Sequence, residues 1–242
     1  MMELAGKRVL IVGGTSGIGA ALADRCAVNG ASVVTASRRT EGHPAAAAHH
    51  VLDVTDEVAV GRLLAAEQPF DHVAISAGGA RPERFRQSST ANAMRAFDAK
   101  FWGAWRVAAL APLTEAASIT FVSGVFAERP SPGNVAATCV NAALEALARA
   151  LAVEMGPVRV NAVSPGLVDT PMWQAMPADR REAFFAGVAG KLPARRICTA
   201  DDVAALIVAA MTNPHPRKQS QTQATFPYSP ARSACRSAKA LA

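Results

Sequence analysis

The sequence predicts an α/β protein of one domain, a doubly wound and mostly parallel sheet with helices on both faces. Three observations carry this expectation. An apolar run enters a glycine cluster near the start, strand-like runs then alternate with helical spacings as far as about residue 212, and the 242 residues, half of them hydrophobic, suffice for one sizeable core.

The run Arg8 to Val12 reads as a strand covered on both faces, and Gly13, Gly14, Gly17 and Gly19 follow it directly. Glycines there let the backbone turn sharply and approach another group closely. From Gly17 the apolar positions Ile18, Ala21, Leu22 and Cys26 take helical spacing, so the turn through Thr15 and Ser16 aims a helix N-terminus above the strand end. Free N–H groups and the positive end of a helix dipole make that a place for an anion, typically a pyrophosphate. The spacing Gly13-x-x-x-Gly17-x-Gly19 resembles the glycine motif of the classical short-chain dehydrogenases/reductases. That resemblance implies a Rossmann-type fold and a nicotinamide dinucleotide held by Gly13, Thr15, Ser16, Gly17, Ile18 and Gly19.

Ala31 to Ala36 reads as the second strand, after an Asn29-Gly30 helix stop, and it runs into Ser37-Arg38-Arg39. In dinucleotide folds an acidic residue at this strand end holds the ribose hydroxyls, whereas arginine pairs with a 2′-phosphate. Ser37 at the acidic position with Arg38 and Arg39 behind it favours NADP(H) over NAD(H). His50 to Val54 is expected as a third strand. Its Asp53 and Val54 fall where the resembled family meets the adenine, although Asp53 would also serve as a helix cap. Phe70 to Ile75 is the fourth strand; Ser76-Ala77-Gly78-Gly79 after it resembles the family's Asn-Asn-Ala-Gly stretch, with Ala77 and Gly78 beside the ribose.

A helix is expected over 90–110 with Met94, Phe97, Phe101, Trp105 and Ala108 on its core face. By resemblance it is the helix that carries a catalytic asparagine, and Lys100 stands at that place. The fifth strand, 118–124, ends at Ser123 and Gly124, one of which occupies the family's catalytic serine position. The next helix, 138–155, contains Asn141-Ala142-Ala143-Leu144-Glu145-Ala146-Leu147, which resembles the stretch after the family's Tyr-x-x-x-Lys and puts Ala137 at the tyrosine and Asn141 at the lysine. The only tyrosine of the chain is Tyr228. Lys100 is therefore the candidate proton donor, with Ser123 as its hydrogen-bond partner and with its basicity lowered by Phe101, Trp102 and Trp105.

Val158 to Val163 is the sixth strand. Ser164-Pro165-Gly166-Leu167-Val168-Asp169-Thr170-Pro171 follows it and resembles the family's Pro-Gly stretch beside the nicotinamide, which assigns Pro165, Gly166 and Thr170 to the cofactor. Residues 172–191, with Trp173, Met176, Phe184 and Phe185, would cover an apolar or mixed small-molecule substrate. A last helix is expected from Asp201-Asp202 through Ala210.

Composition narrows the partners. The net charge of +6 comes from the end of the chain: residues 213–242 hold Arg217, Lys218, Arg232, Arg236 and Lys239 and no acid, which leaves 20 basic against 19 acidic groups elsewhere. Without stacking aromatics or a known module, no nucleic-acid partner is expected. Cys26, Cys139, Cys198 and Cys235 show no paired or metal spacing, and His49-His50 has no acidic or thiol partner at such spacing; reduced thiols, a cytoplasmic protein and no metal follow. The N-terminal apolar run is too short for a signal or a membrane span, so no membrane partner is expected. A homo-oligomer is implied by the resemblance.

The domain is thus expected over 1–212, followed by a basic tail over 213–242 that lacks glycine, valine and isoleucine. That composition predicts an irregular tail with no core strand, leaving the sixth strand as a sheet edge. The functional expectation is an NADP(H)-binding oxidoreductase acting on a carbonyl or alcohol with a non-standard proton donor. The alternative is a nucleotide-binding protein without catalysis, serving as a sensor or scaffold.

Overall fold

A computed structural model describes residues 3–213 and the backbone of 221–222. In chain order the elements are β1 (Arg8–Val12), α1 (Gly17–Val28), β2 (Ser32–Ser37), β3 (Ala48–Val51), α2 (Glu57–Ala65), β4 (Phe70–Ile75), α3 (Thr90–Ala96), α4 (Gly103–Leu110), β5 (Leu113–Val122), α5 (Val135–Glu154), β6 (Arg159–Val163), β7 (Val168–Asp169), α6 (Ala178–Ala189), β8 (Cys198–Thr199), α7 (Ala200–Thr212) and β9 (Gln221–Thr222). The main sheet has the order β3-β2-β1-β4-β5-β6-β9 and every pairing in it is parallel. Parallel strands need crossovers, and the helices that provide them cover both faces. The fold is the Rossmann-type doubly wound domain that the alternation predicts.

Two cores lie on the two faces. On one, Leu10, Val34, Val73, Ile119 and Phe121 meet Val60 and Leu64 of α2, Val107 of α4 and Leu144 and Leu147 of α5. On the other, Val9, Ile11, Val33 and Ala74 meet Leu22 and Cys26 of α1 and Val203, Ile207 and Met211 of α7. Alternate residues of β1 serve opposite faces, and both sets are apolar because both faces are covered. Among the described residues α5 alone is long and apolar enough to cross a membrane. Its stripe Val140, Asn141, Leu144, Leu147 and Ala148 is buried in the protein.

Four elements differ from the sequence expectation. β3 stops at Val51, because Asp53 takes the backbone N–H and the hydroxyl of Thr55 at 3.0 and 2.9 Å and closes a turn. The cap of α2 is Asp56, which accepts from the Ala59 N–H at 2.9 Å. The run over 90–110 is interrupted by a π-helical segment, Phe97–Trp102. Its i→i+5 bonding rotates the faces on either side, so Met94 is 66% and Trp105 46% exposed, while Ala104 and Val107 go into the core. Helix α7 starts at Ala200, and its cap is Thr199 together with the second residue of the acidic pair: Thr199 accepts from the Asp202 N–H and Asp202 accepts from the Thr199 N–H.

The tail expectation is corrected at two residues. Gln221 and Thr222 pair in parallel with Ala162 and Val163 as a seventh strand. The open edge of β6 presents backbone donors and acceptors that any extended segment can use, whatever its side chains. The rest of the tail, Tyr228 and Cys235 included, lies outside the described residues.

Candidate functional site

All six long strands deliver their carboxyl ends to one edge of the sheet, and most residues singled out from the sequence lie at or just beyond one of them, with Lys100 and Asn141 brought in from the π-helical segment and α5. Strand order reverses between β1 and β4, so the crevice above these two is where a dinucleotide lies in such a sheet.

Beyond β1 the loop is built for close approach. Gly13 has φ +89°, and a Cβ there would lie 2.7 Å from Ser76 Oγ and 2.9 Å from the Ala77 nitrogen. A Cβ on Gly19 would collide with the Gly13 carbonyl oxygen, and Gly17 has φ +53°. Ser16, at the N-cap of α1, makes no side-chain cap bond, so the first N–H groups of the helix are left for an external acceptor. Ile18 packs below this point against the core. Across the crevice Thr170 closes on the same loop: a Cβ on Gly17 would be 3.3 Å from Thr170 Cβ. The Thr170 hydroxyl oxygen is buried with no partner among the described residues. An orphaned hydroxyl facing a glycine cradle and an uncapped helix start fits a dinucleotide phosphate. Pro165 and Gly166 sit on the turn before it; the Pro165 carbonyl takes the Val125 N–H at 2.9 Å, and nothing lies within 4 Å of a Cβ on Gly166.

The residues expected at the adenosine end come from β2, β3 and the turns that follow them. The Ser37 hydroxyl oxygen accepts from Thr15 Oγ1 at 2.9 Å and from the Arg39 N–H at 3.2 Å. Arg38 and Arg39 are exposed at the rim. Asp53 has its pKa lowered, first by the Thr55 hydrogen bonds and then by the charge of Arg38. Val54 is buried, and a Cβ on Gly103 would lie 2.6 Å from it. Ala77 packs on the core, and Gly78, with φ +92°, lets the Lys100 segment lie against β4: a Cβ there would be 2.7 Å from Lys100 Cα.

At the opposite end the structure brings Lys100 and Asn141 together. Lys100 Nζ donates to Asn141 Oδ1 at 2.7 Å and to the Ser123 carbonyl at 2.8 Å, and Asn141 Nδ2 donates to the Gly124 carbonyl at 3.2 Å. Burial pulls the lysine pKa down to about 8, against the charge of Glu145, which raises it. The expected partnership of Lys100 with Ser123 therefore runs through the main chain. The hydroxyl of Ser123 points elsewhere and donates to Glu145 Oε1 at 2.8 Å. Gly124 is the residue beside the asparagine, and a Cβ on it would be 2.8 Å from Asn141 Nδ2.

Sequence reasoning missed Glu145. It sits one helical turn after Asn141, inside the stretch that resembles the family, and the resemblance assigns it no role there. It is only 9% exposed. The spacing of Asn141 and Glu145, which puts both on one face of α5, is the signal that could have found it.

Comparison with known proteins agrees with this geometry. The family described as Enoyl-(Acyl carrier protein) reductase matches residues 12–215. A short-chain dehydrogenase/reductase of Malbranchea aurantiaca, malC, is 31% identical over 228 residues, 83% of this chain and 86% of the relative. Another, ucsE of an Acremonium species, is 28% identical over 240 residues, 87% of this chain and 91% of the relative. Among solved structures, a small-chain dehydrogenase in complex with NADPH superposes with TM-score 0.79 at 34% identity, covering 86% of this chain and 92% of that one. The chain belongs to the short-chain dehydrogenase/reductase family of oxidoreductases.

Proposed function

We propose that the protein is an NADP(H)-dependent oxidoreductase that interconverts a carbonyl and an alcohol, with Lys100 as the proton donor. The observation that carries this reading is the donor count at Lys100. An ammonium has three N–H groups, and two are spent on Ser123 and Asn141 at 2.8 and 2.7 Å. The third is available to an acceptor in the crevice. Asn141, assigned to the cofactor by its place in the resembled motif, uses both ends of its amide inside the protein. The ribose and substrate contacts therefore fall to Lys100 and to backbone groups.

When bound, the nicotinamide supplies the hydride that reduces the carbonyl carbon. Lys100 gives its free proton to the carbonyl oxygen as charge develops there, and the neutral amine regains a proton from water; alcohol oxidation runs the same transfers in reverse. A pKa near 8 leaves the amine largely protonated near neutrality and still acidic enough to donate. Arg38, with Arg39, supports NADP(H), since a guanidinium at this rim suits a 2′-phosphate. The solved relative that holds NADPH supports the same cofactor.

The substrate is a small molecule of apolar or mixed character. Trp173, Phe184 and Phe185 support this, with ring centroids 5.5 to 6.0 Å apart on the segment after the Pro-Gly turn. A homo-oligomer is supported by the exposed Trp102, Trp105 and Leu110. A cytoplasmic setting is supported by the free thiols Cys26, Cys139 and Cys198.

Single-turnover oxidation of bound NADPH against quinones, ketones and aldehydes tests the proposal. Loss of the NADPH signal with one of these classes is expected. NADPH that binds but is oxidised by none of them would make the protein a nucleotide-binding sensor or scaffold.

A further inference from the structure

Glu145 lies in the stretch that starts at Asn141 but has no role assigned there, and it is joined to the site through one residue. Its carboxylate takes the Ser123 hydroxyl at 2.8 Å, and the carbonyl of the same serine takes Lys100 Nζ at 2.8 Å. The end of β5 thus bridges an amine on the π-helical segment and a carboxylate on α5. A carboxylate buried this deeply needs compensation by hydrogen bonds and opposite charge. No ion pair within 4.0 Å joins Glu145 to a cation among the described residues.

We infer that Glu145 is a positioning residue of the active site: its buried charge keeps the Lys100 amine protonated at the end of β5, and its bond to Ser123 turns that hydroxyl away from the reacting centre. The charges around Lys100 agree with this assignment. Asp98, on its own segment, is engaged by Arg106 at 2.9 Å. The end of β4 offers Ala77 and Gly78, the end of β5 offers Ser123 and Gly124, and α5 offers Asn141 and Glu145. Burial lowers the basicity of Lys100 and Glu145 opposes that fall. This inference deepens the proposed function but reads the amine itself, so the two can fail separately.

The test is competitive labelling of the full chain with acetic anhydride across pH, read at Lys100 by peptide mass spectrometry, with the exposed Lys7 as internal reference. Glu145→Gln keeps an acceptor for Ser123 and removes the charge. Its Lys100 midpoint should move down by roughly half a unit to two units. Lys7 should not move, and Glu145→Asp should return the midpoint toward its original value. An unchanged Lys100 midpoint in a Glu145→Gln protein that still binds NADPH would overturn the inference. If Glu145→Gln does not fold, Glu145→Met serves: it also removes the charge, at similar length and with an apolar side chain that a buried site accepts, and its Lys100 midpoint should likewise move down. No difference there overturns the inference equally. A Lys100→Met protein with full turnover would remove the catalytic role and leave the labelling result standing.

Discussion

Lys100 Nζ donates to Asn141 Oδ1 at 2.7 Å, and by the resemblance read from the sequence the two residue types are exchanged, the lysine at the family's asparagine place and the asparagine at its lysine place. The two positions face each other, so one ammonium and one amide occupy the same corner whichever helix supplies each. What the exchange does not restore is the tyrosine. The same resemblance puts Ala137 at that place, and Lys100 is the proton donor proposed instead.

The first prediction is cofactor choice. Arg38→Asp should weaken NADPH by roughly ten- to a hundredfold, the worth of a charge-assisted contact, and change NADH little. Fluorescence titration of both cofactors measures it. Equal affinity of the unaltered protein for the two would remove the role of Arg38.

A second concerns Gly78, where φ is +92° and a Cβ would press on Lys100 Cα at 2.7 Å and on the Ala99 carbonyl at 2.9 Å. Gly78→Ala should cost about 1 to 3 kcal/mol in urea unfolding and should lower turnover at least about tenfold by displacing the lysine. Gly79→Ala meets nothing within 4 Å and should leave both unchanged.

The third is acid lability. His72 is 6% exposed, bonded to Ser118 Oγ at 2.8 Å, and burial with the nearby Arg159 pulls its imidazole down to about 4. The unfolded chain therefore takes up the proton first as pH falls. Stability from this group is level above about pH 6.5 and lost toward about pH 4, amounting to about 2 kcal/mol at pH 5. His72→Asn should remove that part of the pH dependence between pH 7 and 5 in urea titrations.

Much of this was legible in the sequence. The strand, glycine and helix order fixed the crevice because Gly13 and Gly19 are demanded by contacts with Ser76 and Gly13 that any longer side chain would break. Lys100 and Asn141 could each be placed by counting along the chain. That they meet is a fact of packing between residues 41 apart, which no local pattern carries. Glu145 was hidden for the same reason: its partner Ser123 is on another element. The π-helical segment left no mark in the spacing, and so Met94 and Trp105 were assigned to the wrong face. The pairing of Gln221 and Thr222 was invisible because an open strand edge recruits backbone rather than side chains.

A fourth prediction follows from the amine. Lys100 donates only while protonated, so carbonyl reduction should be level below about pH 8 and fall about tenfold per unit above it, while alcohol oxidation rises through the same pH. The kcat/KM profile in both directions reads this. A reduction rate that rises above pH 8 would contradict it.

The central claim is that Lys100 supplies the proton, and Lys100→Met tests it most directly. Met keeps the length and apolar stem and removes the N–H groups. Single-turnover oxidation of bound NADPH by the best carbonyl substrate should fall roughly a hundred- to ten-thousandfold, the usual worth of a positioned general acid, while NADPH affinity stays within about threefold. Turnover that survives Lys100→Met at its original rate, with NADPH still bound, would contradict the account.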